Sequence, residues 1–403
     1  MACRKLCENR VRFSLTLYKT VLAHISSSEN LLISPLSAEL AAIAAYIGAE
    51  GKTRSEIAQV LGLTADYTVE DISGRLAQII CDETREVAFN PENCCKNFEL
   101  SSCVGIFIDE NVRLNEHYAE RAQNLVKAVC LPVRFASDPG SAWENVRGFV
   151  AAHSKGKGPE ILELPKFTRP SKLVFATTIN FHSNWEEHFP GNCTVKKCFT
   201  LITGAKIQVD TMHGRFIRLF KYYKSKKFHG AKILQLPYLG NYCKAYFILP
   251  RKKTLFSCPV RKDRLSQLED LLTPKRLLEE MGKVDFPHVV TAEIPKFCLN
   301  YTMAVEQFLS EMGMPTAFSD VADLSGICPL SPLKISTITQ TAVFEIDETG
   351  TDSCPVTVDR AAFMSRSPTN RVKFIANRPF LFIVCHEATS TIIFMGRICN
   401  PLT

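Results

Sequence analysis

Hydrophobic and polar positions along this chain follow two periods. After Ser34-Pro35-Leu36-Ser37, the residues Leu40, Ile43, Ala44 and Ile47 recur at steps of three and four up to Gly48. That spacing predicts a buried helix. Thr53 and Glu56 then stand three apart as a capping box ahead of Ile57, Val60 and Leu61, with Gly62 as the stop, so a second helix is expected to start at Thr53. Beyond the polar stretch 90–97 the texture becomes strand-like over 104–108, 131–135 and 172–181. Several of these runs are continuously apolar, which predicts a sheet covered on both faces. Residues 232–236 and 245–249 flank a turn containing Gly240-Asn241, and 380–385 precedes 391–395 in the same manner, so two hairpins are expected. A helical segment over 302–312 lies among strands without regular β-α-β alternation, which favours an α+β fold. No internal repeat and no Pro/Gly/Ser-rich linker divides the 403 residues, so one domain over 1–403 is expected.

Composition narrows the class. With 46% hydrophobic and 22% charged residues the chain has enough apolar side chains for a sizeable core, which excludes disordered and collagen-like classes. Lys and Arg outnumber Asp and Glu by 48 to 41, and the basic residues concentrate in 215–227 and 251–253. Such stretches either meet a polyanion such as a glycosaminoglycan or form a lysine-guarded strand edge. The first residues include Arg4, Lys5 and Arg10 but no apolar run of signal-peptide length, so a cytoplasmic location, or an extracellular one by leaderless release, is expected. No apolar run has the length of a membrane span. The sixteen cysteines are scattered without a CxxC pair, which predicts mostly reduced thiols and no metal site. Asn192-Cys193-Thr194 and Asn300-Tyr301-Thr302 match the glycosylation tripeptide. There is no GxSxG elbow, HExxH pair or GxxxxGK loop, so neither enzymatic activity nor a cofactor is expected.

One segment resists reading as an ordinary loop. After Phe344-Glu345-Ile346-Asp347-Glu348-Thr349-Gly350-Thr351 come about twenty mostly small or polar residues before strong apolar strands resume at Val372. Long connections of this kind are more often functional than decorative. The motifs on either side carry a resemblance. Asn30 to Ser37, Gly48-Ala49-Glu50-Gly51-Lys52-Thr53, Asn180-Phe181-His182-Ser183-Asn184-Trp185, Ala322-Asp323-Leu324-Ser325-Gly326, Asp347 to Thr351 and Ala376-Asn377-Arg378-Pro379-Phe380-Leu381-Phe382 resemble the serpin superfamily, in that family's order from near residue 10 to the end.

The resemblance implies three β-sheets, about eight or nine helices and an exposed reactive-centre loop over about 350–369. It implies a monomeric inhibitor of a serine protease that is cleaved in the loop, held as an acyl-enzyme and dragged across the protein as the cut loop inserts into the main sheet. Gly350, Thr351, Asp352 and Ser353 are then the loop hinge. Ser34, Ser37, Asn180 and Gln340 match a polar cluster beneath the strands that open, and Lys296 and Glu348 match an ion pair beside Trp185 at the top of the sheet. Counting fifteen residues from Gly350 places Met364 before the scissile bond and Ser365 after it, whereas counting back from Val372-Lys373-Phe374 gives Arg366-Ser367. Met364 suits elastase- or chymotrypsin-like enzymes and Arg366 trypsin-like ones. Alternation inward from Thr351 would bury Ser353, Pro355, Thr357 and Asp359. Pro355 has no N–H for a central strand, and a buried Asp359 is costly, so a non-inhibitory carrier, chaperone or binding module stands as the alternative.

Overall fold

The computed structural model describes residues 2–64, 68–84, 98–154, 172–217, 220–252, 263–283, 289–330, 332–351 and 371–403. The chain opens with helix α1 (Ala2–Leu22), a short strand β1 (Leu31–Ile33) and helices α2 (Pro35–Gly48), α3 (Gly51–Leu61) and α4 (Val69–Thr84). Then come β2 (Glu99–Asp109), α5 (Glu116–Val126), β3 (Ala128–Val133), α6 (Pro139–His153) and β4 (Leu173–Asn184). Strands β5 (Val195–Thr200), β6 (Lys206–Ile217), β7 (Lys221–Ser225), β8 (Ala231–Pro237) and β9 (Cys243–Leu249) lead into α7 (Arg264–Leu271) and α8 (Pro274–Met281). The last third holds β10 (Val289–Pro295), β11 (Phe297–Ala304), α9 (Glu306–Met312), β12 (Thr337–Ile346), β13 (Gly350–Thr351), β14 (Arg371–Ile375), β15 (Phe380–His386) and β16 (Thr391–Ile398).

These strands make three sheets among the described residues. The main one runs β11-β12-β4-β2-β3, a second runs β1-β16-β15-β9-β8-β7, and a third runs β14-β10-β6-β5. The continuously apolar strands have their explanation here. One face of the main sheet packs on α2 and on the second sheet, with Phe344 of β12 stacked on Phe382 of β15 at 4.9 Å between ring centroids. The other face carries α6, where Phe149 meets Phe107 edge-on at 5.5 Å and packs with Val146, Val174 and Ala176. A strand clamped from both sides has no polar face to alternate with. Helix α2 is correspondingly buried all round, every residue but Tyr46. Ser34 caps it, its Oγ accepting from the Ser37 N–H at 3.2 Å, and Pro35 fills a first-turn position where a missing N–H loses nothing.

Three local expectations shift. Helix α3 begins at Gly51 rather than at Thr53, because the capping-box side chains have tertiary partners instead. Thr53 Oγ1 accepts from the Asp323 N–H, and the Glu56 carboxylate accepts from the N–H and hydroxyl of Thr316. The strand expected at 131–135 lies three residues earlier, as β3, and pairs in parallel with β2. Of the helix expected over 302–312 only α9 is helical, since Thr302, Met303 and Ala304 complete β11 and register with Thr341, Gln340 and Thr339.

Candidate functional site

The seam between β12 and β4, the middle strands of the main sheet, divides into a closed and an open stretch. In the closed stretch the two strands pair in parallel from Thr337 opposite Val174 to Ala342 opposite Ile179. Gln340 sits in this stretch, on the face turned to α2. Its Nε2 donates to the Ser34 carbonyl at 2.8 Å and to Ser37 Oγ at 2.7 Å, while its Oε1 accepts from the Ser34 N–H at 3.1 Å. Ser34 Oγ donates onward to the Ile393 carbonyl of β16 at 2.8 Å. All three side chains are buried, so a single neutral amide ties the sheet, the start of α2 and the second sheet together.

Asn180, the fourth residue of the expected cluster, is elsewhere. The residue opposite Gln340 is Thr177, and Asn180 lies three positions further along β4, hence on the other face of the sheet. There its Nδ2 donates to the carbonyl of His153 at the end of α6. Thr177 takes its place at the seam, with Oγ1 donating across to the Thr339 carbonyl at 3.3 Å. The signal for Thr177 was the strand period counted from a known partner, which requires the register.

Above Ala342 and Ile179 the two strands part, although β4 runs on to Asn184 and β12 to Ile346. The two-residue β13 occupies the mouth of the gap. Gly350 pairs antiparallel with Asn184, and Thr351 with Ser183. The chain turns back from β12 around one carboxylate oxygen: Asp347 Oδ1 accepts from the Thr349 N–H, the Thr349 hydroxyl and the Gly350 N–H at 2.8, 2.7 and 3.0 Å. Only glycine fits at 350, because a Cβ there would overlap the Ser183 carbonyl oxygen and lie 2.7 Å from Asn184 Cα. Thr351 is wholly buried, with Oγ1 2.7 Å from the Tyr238 hydroxyl. This overturns the expectation that the loop base at Gly350 and Thr351 is exposed. The free edge of β4 offers these residues main-chain partners, and their small side chains let them take it.

Tyr238 was not expected from the sequence. It stacks on Trp185 at 4.5 Å between ring centroids and meets the edge of Phe181 at 5.0 Å. Burial pushes its phenol far above the usual range, so it acts as a neutral hydroxyl toward Thr351. Trp185 adds two bonds, from its N–H to the Thr349 carbonyl at 2.8 Å and from its indole Nε1 to the Asp347 carbonyl at 3.1 Å. Lys296 Nζ meets Glu348 Oε2 at 2.8 Å, as the resemblance implied, and Thr194 Oγ1 donates to the second carboxylate oxygen at 2.6 Å. Burial works to raise the Glu348 carboxyl, but the bonds from Lys296 and Thr194 outweigh it and hold it below the usual range. Burial likewise works to lower Lys296, and its bond to Glu348 outweighs that and raises it.

Asp352, Ser353, Pro355, Met364, Ser365, Arg366 and Ser367 lie outside the described residues, as does the rest of 352–370. The chain resumes at β14, which pairs in parallel with β10. Among the described residues no helix is long and apolar enough to cross a membrane.

A family model described as Serpin (serine protease inhibitor) matches residues 8–401. The chain is 31% identical over 405 residues to an alpha-1-antiproteinase of Callosciurus caniceps, covering 99% of this chain and 90% of that one. It is 28% identical over 394 residues to an uncharacterized serpin-like protein of Methanosarcina acetivorans, covering 96% and 84%. Among solved structures, mouse protein-Z dependent protease inhibitor is similar with a TM-score of 0.80 at 22% identity, over 99% of this chain and 98% of that one. Human thyroxine-binding globulin is similar with a TM-score of 0.83 at 22% identity, over 100% of both chains. At those identities the two structures speak for the fold alone.

Proposed function

This chain belongs to the serpin family, and we propose that it inhibits a serine endopeptidase as a suicide substrate, the cleaved loop entering the main sheet between β12 and β4. One observation carries the reading: Gly350 and Thr351 already pair antiparallel with β4 at the mouth of the gap, with the small Thr351 side chain turned inward. Loop insertion continues a ladder that has begun. Extending its register sets Asp352 against His182, Ser353 against Phe181, Pro355 against Ile179 and Thr357 against Thr177. Each residue added before Ile179 is reached gains main-chain bonds to strands whose facing edges lacked them, at roughly 1 kcal/mol net per bond. Beyond Ile179 the inserting strand replaces the pairing of β12 with β4 and passes the Gln340 amide. Met364 is the residue we place before the cut bond and Ser365 after it, because distance from the hinge governs how far a tethered enzyme travels. The partner is then an elastase- or chymotrypsin-like protease.

The same register carries the second reading. Pro355 arrives at Ile179, where the paired stretch must unzip, without an N–H to offer, and Asp359 arrives opposite Phe175, which is fully buried. Those two positions favour a serpin that serves as a carrier or binding module. The experiment is incubation of the intact protein with elastase-, chymotrypsin- and trypsin-like proteases, followed by SDS gels and mass spectrometry of the released C-terminal fragment. An SDS-resistant complex with a fragment beginning at Ser365 is expected. A fragment beginning at Ser367 moves the bond to Arg366 and the partner to trypsin-like enzymes, and clipping without complex supports the carrier.

A further inference from the structure

A β-ladder reads backbone rather than side chains, so main-chain bonds alone let the upper edge of β4 accept almost any extended segment. Two features narrow the choice there: the close approach at Gly350 and the turn around Asp347. Neither acts on residue 351, whose backbone pairs with Ser183. At that position the discriminating group is Tyr238. Its ring is clamped on two sides, with the Trp185 indole 16° from parallel over one face and Phe181 edge-on at 75°. Its backbone is fixed as well, by a bridge to Trp185 and by an N–H that donates to the Cys243 carbonyl at 3.0 Å. Tyr238 and Thr351 are both wholly buried. The only hydrogen bond of either side chain is the one their hydroxyls share.

Such a pair tolerates little change on one side alone. A buried hydroxyl without a partner carries a desolvation cost that the bond had offset, whereas two apolar groups of the same shape carry none. The clamped phenol therefore favours a hydroxyl at 351 and disfavours an aliphatic side chain of equal size. The position matters because a strand entering a sheet loses the freedom of its leading residue before later pairs compensate for it. With residue 351 already bound, that loss precedes any cut in the loop.

We propose that Tyr238 is a positioning residue whose hydroxyl selects a hydroxyl-bearing side chain at 351 and so seeds the insertion ladder before the loop is cleaved. This role presupposes insertion of the cut loop between β12 and β4, and it adds a latch in the intact protein that can be measured without any protease.

Hydrogen exchange over residues 183–185 and 349–351 of the intact protein reads the latch. Tyr238→Phe strands the Thr351 hydroxyl and Thr351→Val strands the phenol, so each should speed exchange there by about two- to tenfold. The double variant strands neither group and should exchange more slowly than either single variant, a reversal that general loosening of the region does not produce. Thr351→Ser keeps a hydroxyl and should exchange more slowly than Thr351→Val. The same order is expected for the number of inhibitor molecules consumed per molecule of an elastase-like protease, with the rate of loop cleavage unchanged. Melting curves establish that the variants are folded. Parent-like exchange in Tyr238→Phe, or single effects that simply add in the double variant, would overturn the latch. Faster exchange with no rise in inhibitor consumed would overturn its part in seeding. A parent that forms no SDS-resistant complex, yet shows the reversal in exchange, would retain the latch and overturn the insertion reading.

Discussion

The closed and open stretches of the β12–β4 seam are held by different chemistry. The closed stretch relies on neutral groups, namely the Gln340 amide, the Ser34 and Ser37 hydroxyls and the Thr177 hydroxyl, all buried. The open stretch is plugged by two residues of loop and fastened by partly exposed charge, through Asp347 at the turn and Glu348 on Lys296. The difference separates two tasks. Neutral bonds worth roughly 1 kcal/mol each can be broken and remade as a strand arrives, since no ion has to be stripped of water. Charges at the rim fix where the chain leaves β12 without standing in the path of insertion.

The comparison breaks most severely if a charge is forced into the plug. Thr351→Arg sets a guanidinium where a fully buried threonine bonds Tyr238, and an unpaired buried charge costs several kcal/mol. The two-residue strand should leave the gap in the native protein, lowering the melting midpoint by a few degrees. After cleavage the insertion should stall, so an inhibitor becomes a substrate cut at the same bond. SDS gels beside thermal melts measure both effects. Stable complex at the parent's yield would defeat the insertion mechanism for this chain.

Gln340→Ala tests the closed stretch. It strands the buried Ser34 N–H, while the Ser34 carbonyl keeps its bonds from the Ser37 hydroxyl and the Ala38 N–H, and should destabilise the native state by about 1–3 kcal/mol in denaturant titrations. A change below about 0.5 kcal/mol would mean that the amide bridges little.

How far these features were legible depends on what each residue answers to. The double-covered strands and both hairpins follow from local pattern, because burial on two faces and turn chemistry write themselves into neighbouring residues. Asn180 was misplaced because its motif fixes it along β4 but not to a face. Its face depends on the register with β12, which brings together residues about 160 positions apart. Thr53 and Glu56 misled for a related reason, since a capping box and a tertiary anchor require the same side chains. Tyr238 carries no motif at all, and its role exists only because β8 ends beneath the hinge. The reverse held for Lys296 and Glu348, which the family's order of motifs brought together correctly.

The smallest expected effect sharpens the comparison through pH. Glu348 is held below its ordinary value of 4.5 in the folded protein, so its contribution to stability is present above that value and lost as pH falls through the lower folded value. Lys296 is held above its ordinary 10.5, so its contribution is present below 10.5 and lost as pH rises through the higher folded value. Between those limits Glu348→Gln should cost less than about 1 kcal/mol, because the Lys296 side chain is 39% exposed and the pair is screened. Melting curves of the parent and this variant should therefore differ slightly at neutral pH and converge toward either extreme. The deficit of Gln340→Ala, which involves no ionisable side chain, should stay level over the same range. A Glu348→Gln deficit that persists at acid pH would assign the role of this residue to shape rather than charge, and the contrast between a neutral seam and a charged rim would fail.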